Sequence, residues 1–155
     1  MDSRRREVMK AGGGFGLLGL LVGAGLVSPQ VARAAWDKAA FDSRGVEAVF
    51  AALGAGKPAP STEIRINAPE IAENGAVVAV SVVSNLPQTE QIALLVDRNP
   101  YTLAAHFVIP PGTAPDIQTR IKMAESANVY ALVKAGGRFH VARREVKVTL
   151  GGCGA

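Results

Sequence analysis

From Pro60 to Leu150 the chain alternates apolar and polar side chains with a period of two, and turn residues break the pattern at intervals of about 8–12 positions. Such a pattern dictates an antiparallel β-sandwich or barrel, because each strand gives one face to a core and the other to water. Seven strands are expected. Glu63-Ile64-Arg65-Ile66 alternates and runs towards Pro69, the mark of an edge strand. Glu73-Asn74-Gly75 turns the chain into Val77 to Ser84, whose nearly continuous β-branched run predicts a central strand. Asn85-Leu86-Pro87 turns it again, Ile92 to Val96 follows, and Asp97-Arg98-Asn99-Pro100 leads to Leu103 to Ile109, which Pro110-Pro111-Gly112 ends. Ile117, Thr119, Ile121 and Met123 alternate with Gln118, Arg120 and Lys122 in a half-exposed strand. Val129 to Lys134 and Phe139 to Leu150 form a hairpin across Ala135-Gly136-Gly137-Arg138. In the last strand Val146, Val148 and Leu150 are expected on one face and Glu145, Lys147 and Thr149 on the other.

Ahead of the strands, Trp36 to Leu53 reads as one helix: Val46, Val49, Phe50 and Leu53 share a face, Gly54 and Gly56 stop it, and Pro58 and Pro60 follow. The apolar stripe is expected to pack on its own domain. Residues 35–150 thus make one domain, about 120 residues being enough for one core and too few for two.

Residues 1–34 read as a targeting segment. A charged start precedes an uncharged run from Ala11 to Val27 that is diluted by seven glycines, and Ala32-Arg33-Ala34 offers a small-residue cleavage site. Arg5-Arg6-Glu7-Val8-Met9-Lys10 is similar to a twin-arginine export signal, and the weak hydrophobicity and Arg33 fit that route better than general secretion. Cleavage is expected after Ala34, with a periplasmic product. An uncleaved anchor and a general secretory signal are the alternatives. Because twin-arginine export carries folded proteins, a partner acquired in the cytoplasm is expected. The net charge of +4 belongs largely to this segment: five of the 17 basic and two of the 13 acidic residues lie in it, leaving 12 and 11. The remainder has no basic stripe for nucleic acid or a membrane surface.

The one cysteine, Cys153, stands among Gly151, Gly152, Gly154 and Ala155 at the C-terminus. Glycines provide nothing to pack, so the run predicts a mobile arm, residues 151–155, that presents a thiol. Five extended residues reach about 17 Å at 3.3–3.6 Å each, and an arm without Cβ atoms at its glycines fits a narrow channel. An odd cysteine in an exported protein means intermolecular pairing or a free reactive thiol. With an ordinary thiol pKa of about 8.5 and no cation in the arm, Cys153 is poorly equipped as an unaided nucleophile.

Other chemistry has little support. A cupredoxin site needs a His, and often a Met, shortly after its Cys; here only Gly154 and Ala155 follow. His106, His140 and Met123 read as packing or surface residues, and the sequence offers no recognisable orienting residue at close spacing to either His. No glycine-rich phosphate loop opens a helix, and no metal or cofactor is expected. Lys122, Arg143, Arg144 and Lys147 could draw an anion towards the arm, although solvated strand-face charges interleaved with Glu145 are the simpler account.

The stretches Asn99-Pro100 through Pro110-Pro111-Gly112-Thr113, Thr119-Arg120-Ile121-Lys122-Met123, Asn128-Val129-Tyr130-Ala131-Leu132-Val133 and Glu145 through Gly154 resemble the second half of the SoxY family of the sulfur-oxidation (Sox) system. The first half is similar in layout. The family typically ends Gly-Gly-Cys-Gly-Gly, and Ala155 departs from it. The resemblance implies an immunoglobulin-like sandwich, paired with a SoxZ subunit, that carries inorganic sulfur covalently on Cys153. It further implies transient contacts with a haem cytochrome, a sulfate-releasing hydrolase and a sulfane dehydrogenase, which perform the chemistry. Three readings compete: a carrier, an enzyme acting alone, and a structural protein that uses Cys153 as an intermolecular disulfide.

Overall fold

The computed structural model describes residues 38–150. The export segment 1–34, the first two residues of the expected helix and the arm 151–155 lie outside the described residues. Two short helices, α1 (Lys38–Asp42) and α2 (Val46–Ala52), stand where one was expected. The break is Gly45, which caps α2 with φ 88° and ψ 149°, a conformation effectively restricted to glycine. Its N–H donates to Thr102 Oγ1 at 2.8 Å, and Thr102 is buried. The sequence reading of the far end holds: Gly54 at φ 73° donates to the Ala51 carbonyl and Ala55 to that of Phe50, a Schellman closure.

Among the described residues nine strands follow: β1 (Ala59–Pro60), β2 (Ile64–Asn67), β3 (Ile71–Asn74), β4 (Val78–Ser84), β5 (Thr89–Val96), β6 (Leu103–Val108), β7 (Asp116–Ile121), β8 (Ala127–Ala135) and β9 (Arg138–Leu150). One sheet runs β1-β9-β8-β5-β6, with β3 also on β9, and the other runs β2-β4-β7. They enclose a common core, so the fold is a sandwich. Ile64 and Ile66 of β2, Val78, Val80 and Val82 of β4 and Ile121 of β7 meet Ile92, Leu94, Val129, Val133 and Val146 of the larger sheet. As expected, β2 is an edge and β4 is central.

The larger sheet is buried on its other face as well. Val46, Val49 and Phe50 of α2 cover Ala93 and Leu95 of β5, Leu103 of β6 and Leu132 of β8. This explains Ile92–Val96, which carries apolar residues at every position and is almost wholly inaccessible. Each such Leu, Ile or Val side chain contributes about 1.5–3 kcal/mol through burial. The helix stripe therefore packs on its own domain.

The two unforeseen strands, β1 and β3, are parallel to β9, unlike the antiparallel remainder. Their pairing depends on a distant strand rather than on a local pattern. Other corrections are smaller. The strand expected to continue through Met123 ends at Ile121, while Met123 itself is fully buried in the loop beyond. Leu150 shares the parity of buried Val146 but is 70% exposed, because β9 outruns the core.

At the hairpin end of β9, Glu90 accepts from Gly137 N–H at 2.9 Å and lies 3.2 Å from Lys134 Nζ. Chiefly the backbone hydrogen bond, then Lys134, holds its carboxyl below the usual carboxylate pKa. A depressed folded-state pKa stabilises above the unfolded value and is lost as pH falls through the folded one. The stability gap between wild type and Glu90→Gln is therefore expected at neutral pH and should close in acid, as read by urea denaturation against pH. Gly45→Ala meets no neighbour within 4 Å of the new Cβ, so its cost is backbone strain. A loss of about 1–3 kcal/mol in the same assay is expected.

Candidate functional site

Cys153, Gly151, Gly152 and Gly154 fall outside the described residues, so the described part of the site is the root from which they continue. That root is the end of β9. Antiparallel pairing with β8 holds β9 on one side from Arg138 to Val146. On the other side β1 pairs at His140 and Val141, and β3 at Lys147, Val148 and Leu150.

Beyond the end of β8, β9 is bonded by Ser126 on the β8 side and by β3 and its flanking residues. Val148 N–H donates to Ser126 Oγ at 2.9 Å, so a hydroxyl serves in place of the missing strand partner. Lys147 N–H donates to the Glu70 carbonyl at 3.0 Å and Thr149 Oγ1 to the Glu73 carbonyl at 2.8 Å. Gly75 N–H donates to the Leu150 carbonyl at 2.7 Å, and the Gly75 carbonyl accepts from Met123 N–H at 2.7 Å. Strand order is thereby kept to the residue before Gly151.

Neighbouring loops are tied in the same way. Asn99 Nδ2 donates to the Lys122 carbonyl at 2.7 Å and its Oδ1 accepts from Ala124 N–H at 2.9 Å. Asp97 receives both the backbone and the side-chain N–H of Asn128 at 3.0 and 2.9 Å. Asn74 Oδ1 accepts from Ala76 N–H at 2.8 Å and shapes the turn beyond β3. Side-chain bonds of this kind satisfy backbone groups that would otherwise remain without partners at the end of a sandwich.

The cationic residues read from sequence are not gathered into one site. Lys122 lies in the loop after β7, whereas Arg143, Arg144 and Lys147 are spread along β9; all four are exposed. His106 and His140 are on β6 and β9, three strand intervals apart, or about 14 Å. They also face opposite sides of the sheet, since His106 pairs with Ala93 and His140 with Val133. Among the described residues, no group of three or more His, Cys, Asp or Glu could hold a metal ion. Nor is any helix there long and apolar enough to cross a membrane.

Sequence reasoning missed Ser126, Gly75 and Glu73. Asn74-Gly75 signals a turn, but nothing local says that the turn closes on Leu150. Ser126→Ala removes the acceptor for Val148 N–H and is expected to cost about 0.5–1.5 kcal/mol. Amide hydrogen exchange should accelerate at Val148 and Leu150 while Ile92–Val96 stays protected. Equal protection at Val148 in both proteins would contradict this account.

The model of the family described as sulfur oxidation protein SoxY matches residues 49–153, a span that includes the cysteine. Among solved structures, the sulfur carrier protein SoxY from Chlorobium limicola f thiosulfatophilum is 39% identical, with a TM-score of 0.57, over 64% of this chain and 93% of that one. A superoxide reductase (neelaredoxin) from Ignicoccus hospitalis is 25% identical over 55% of this chain and 79% of its own, with a TM-score of 0.48. No curated protein matches the chain. With the matched span covering most of its length and ending on Cys153, the chain belongs to the SoxY family of sulfur-oxidation proteins.

Proposed function

We propose that the chain is a covalent carrier of inorganic sulfur and that Cys153 is its attachment point. The observation that supports this most is the family match running through residue 153, together with 39% identity to a SoxY sulfur carrier across 93% of that protein. The root geometry agrees with it. A strand paired on both edges ends at Leu150, and three residues at full extension can span at most about 10 Å, which bounds the reach of the Cys153 thiol.

In this reading residues 1–34 direct the chain to the periplasm by the twin-arginine route, and a SoxZ subunit forms a heterodimer with it. A haem cytochrome joins thiosulfate to the cysteine: the Cys153 thiol loses its proton, a bond forms to the outer sulfur of thiosulfate, and two electrons leave to the haem. The product is a cysteine S-thiosulfonate. A hydrolase then adds water to its terminal sulfonate, releasing sulfate and leaving a persulfide on Cys153. A sulfane dehydrogenase oxidises that outer sulfur to a sulfonate, with water supplying three oxygens and six electrons passing to that enzyme's electron acceptor, and hydrolysis of the S–sulfonate releases a second sulfate and returns the thiol. Sulfur bonded to sulfur persists in water yet yields to stepwise cleavage, which suits a shuttle.

The chain supplies position and a thiol; its enzymes supply the activation. Intact-mass measurement on the chain from thiosulfate-grown cells should find a thiosulfate-derived addition on Cys153. Cys153→Ser should abolish thiosulfate turnover while leaving denaturation and partner binding unchanged. A chain that never bears added sulfur, that turns over a substrate alone, or whose working form is a Cys153 disulfide dimer would refute the carrier reading.

A further inference from the structure

Asn74-Gly75 is the only Asn-Gly pair in the chain. In such a pair the glycine backbone nitrogen can attack the asparagine carboxamide carbon, because no Cβ shields it. The chemistry is internal and changes no oxidation state. The Gly75 nitrogen gives up its proton and bonds to Asn74 Cγ, the carboxamide nitrogen takes up a proton and leaves as ammonia, and a cyclic imide remains. Water then adds to an imide carbonyl. Opening on the side-chain side restores the original backbone with aspartate at position 74. Opening on the main-chain side leaves isoaspartate, whose backbone runs through the side chain and carries an extra methylene.

Two hydrogen bonds act on this pair in opposite senses. Asn74 Oδ1 accepts from Ala76 N–H at 2.8 Å, a donor placed on the oxygen where negative charge develops when Cγ is attacked. Gly75 N–H, the attacking group, donates to the Leu150 carbonyl at 2.7 Å. Asn74 and Leu150 are themselves partners where β3 runs parallel to β9. Asn74 is exposed, so water reaches it, whereas Gly75 is buried.

We infer that Asn74 is a self-modification site and that Leu150, the last residue of β9, is the latch that keeps it unreacted. With Leu150 in place, the Gly75 nitrogen is held away from Cγ and its proton is engaged. When the strand end lifts, the nucleophile is released onto a carboxamide that is already polarised. The change cannot be undone by re-pairing: the extra methylene of isoaspartate shifts Gly75 out of register with Leu150. The root of β9 thus keeps a covalent record of having opened. None of this depends on what Cys153 carries.

The test incubates the full chain near neutral pH and follows position 74 by peptide mapping, reading the amide-to-acid mass gain and the enzymatic methylation of isoaspartate. Folded wild type should react at least about tenfold more slowly than the same chain unfolded in guanidinium chloride, since reaction needs a local opening. Ser126→Ala and Thr149→Val remove the bonds that hold Val148 and Thr149 at 2.9 and 2.8 Å. Each should speed the folded-state reaction about two- to tenfold. Gly45→Ala weakens the fold elsewhere, at the helix break, and should leave the rate unchanged. Wild-type chains that have formed isoaspartate should exchange the Val148 amide faster than fresh ones. A folded rate equal to the unfolded one, no acceleration in Ser126→Ala and Thr149→Val, or equal acceleration by Gly45→Ala overturns the latch. Unchanged exchange at Val148 after isoaspartate formation overturns the lasting record.

Discussion

The pairing of β9 on both of its edges is the constraint from which the rest of the architecture follows. Its long antiparallel ladder with β8 fixes the middle of the larger sheet, while two short parallel strands, β1 and β3, occupy its outer side. Between those strands the chain leaves to form β2 in the opposite sheet, so one excursion links both layers of the sandwich. The backbone hydrogen bonds are individually modest, but a buried group without a partner is costly; Ser126 supplies a partner where β8 has already ended, and Glu70 and Gly75 extend the pairing at the two ends of β3.

Burial on both faces gives this strand framework its stiffness. The α2 stripe covers one side of the larger sheet and the β2-β4-β7 sheet the other, leaving β5 and β8 with little access to water. Gly45 has a particular part in that arrangement. It redirects the backbone between two short helices so that α2 lies on the sheet, and its amide is bonded to the buried hydroxyl of Thr102 just ahead of β6.

Much of this was legible in the residues. The β4 run of β-branched residues, the Ala135-Gly136-Gly137-Arg138 hairpin and the Schellman stop at Gly54 are local chemistry, and local reading found them. What escaped was non-local. Ala59–Pro60 and Ile71–Asn74 have no strong strand pattern and become strands only because β9 lies beside them. The helix break was passed over because the apolar stripe that marked the helix, Val46 to Leu53, lies wholly after Gly45 and says nothing of the turn before it, and Leu150 kept the parity of a core residue after the core had ended. At the candidate site, the glycine-flanked thiol was evident from composition alone. Ser126 and Gly75 were not, since their role is to meet backbone groups distant in the chain.

The direction in which the root is held has a mechanical consequence. A pull on residues beyond Leu150 acts along the axis of β9, whereas its ladder bonds lie across that axis. Tension would thus load the bonds to β8 and β3 in shear, many at once, instead of peeling them one after another. The last strand is thereby held more firmly against a pull along its axis than against one applied across it.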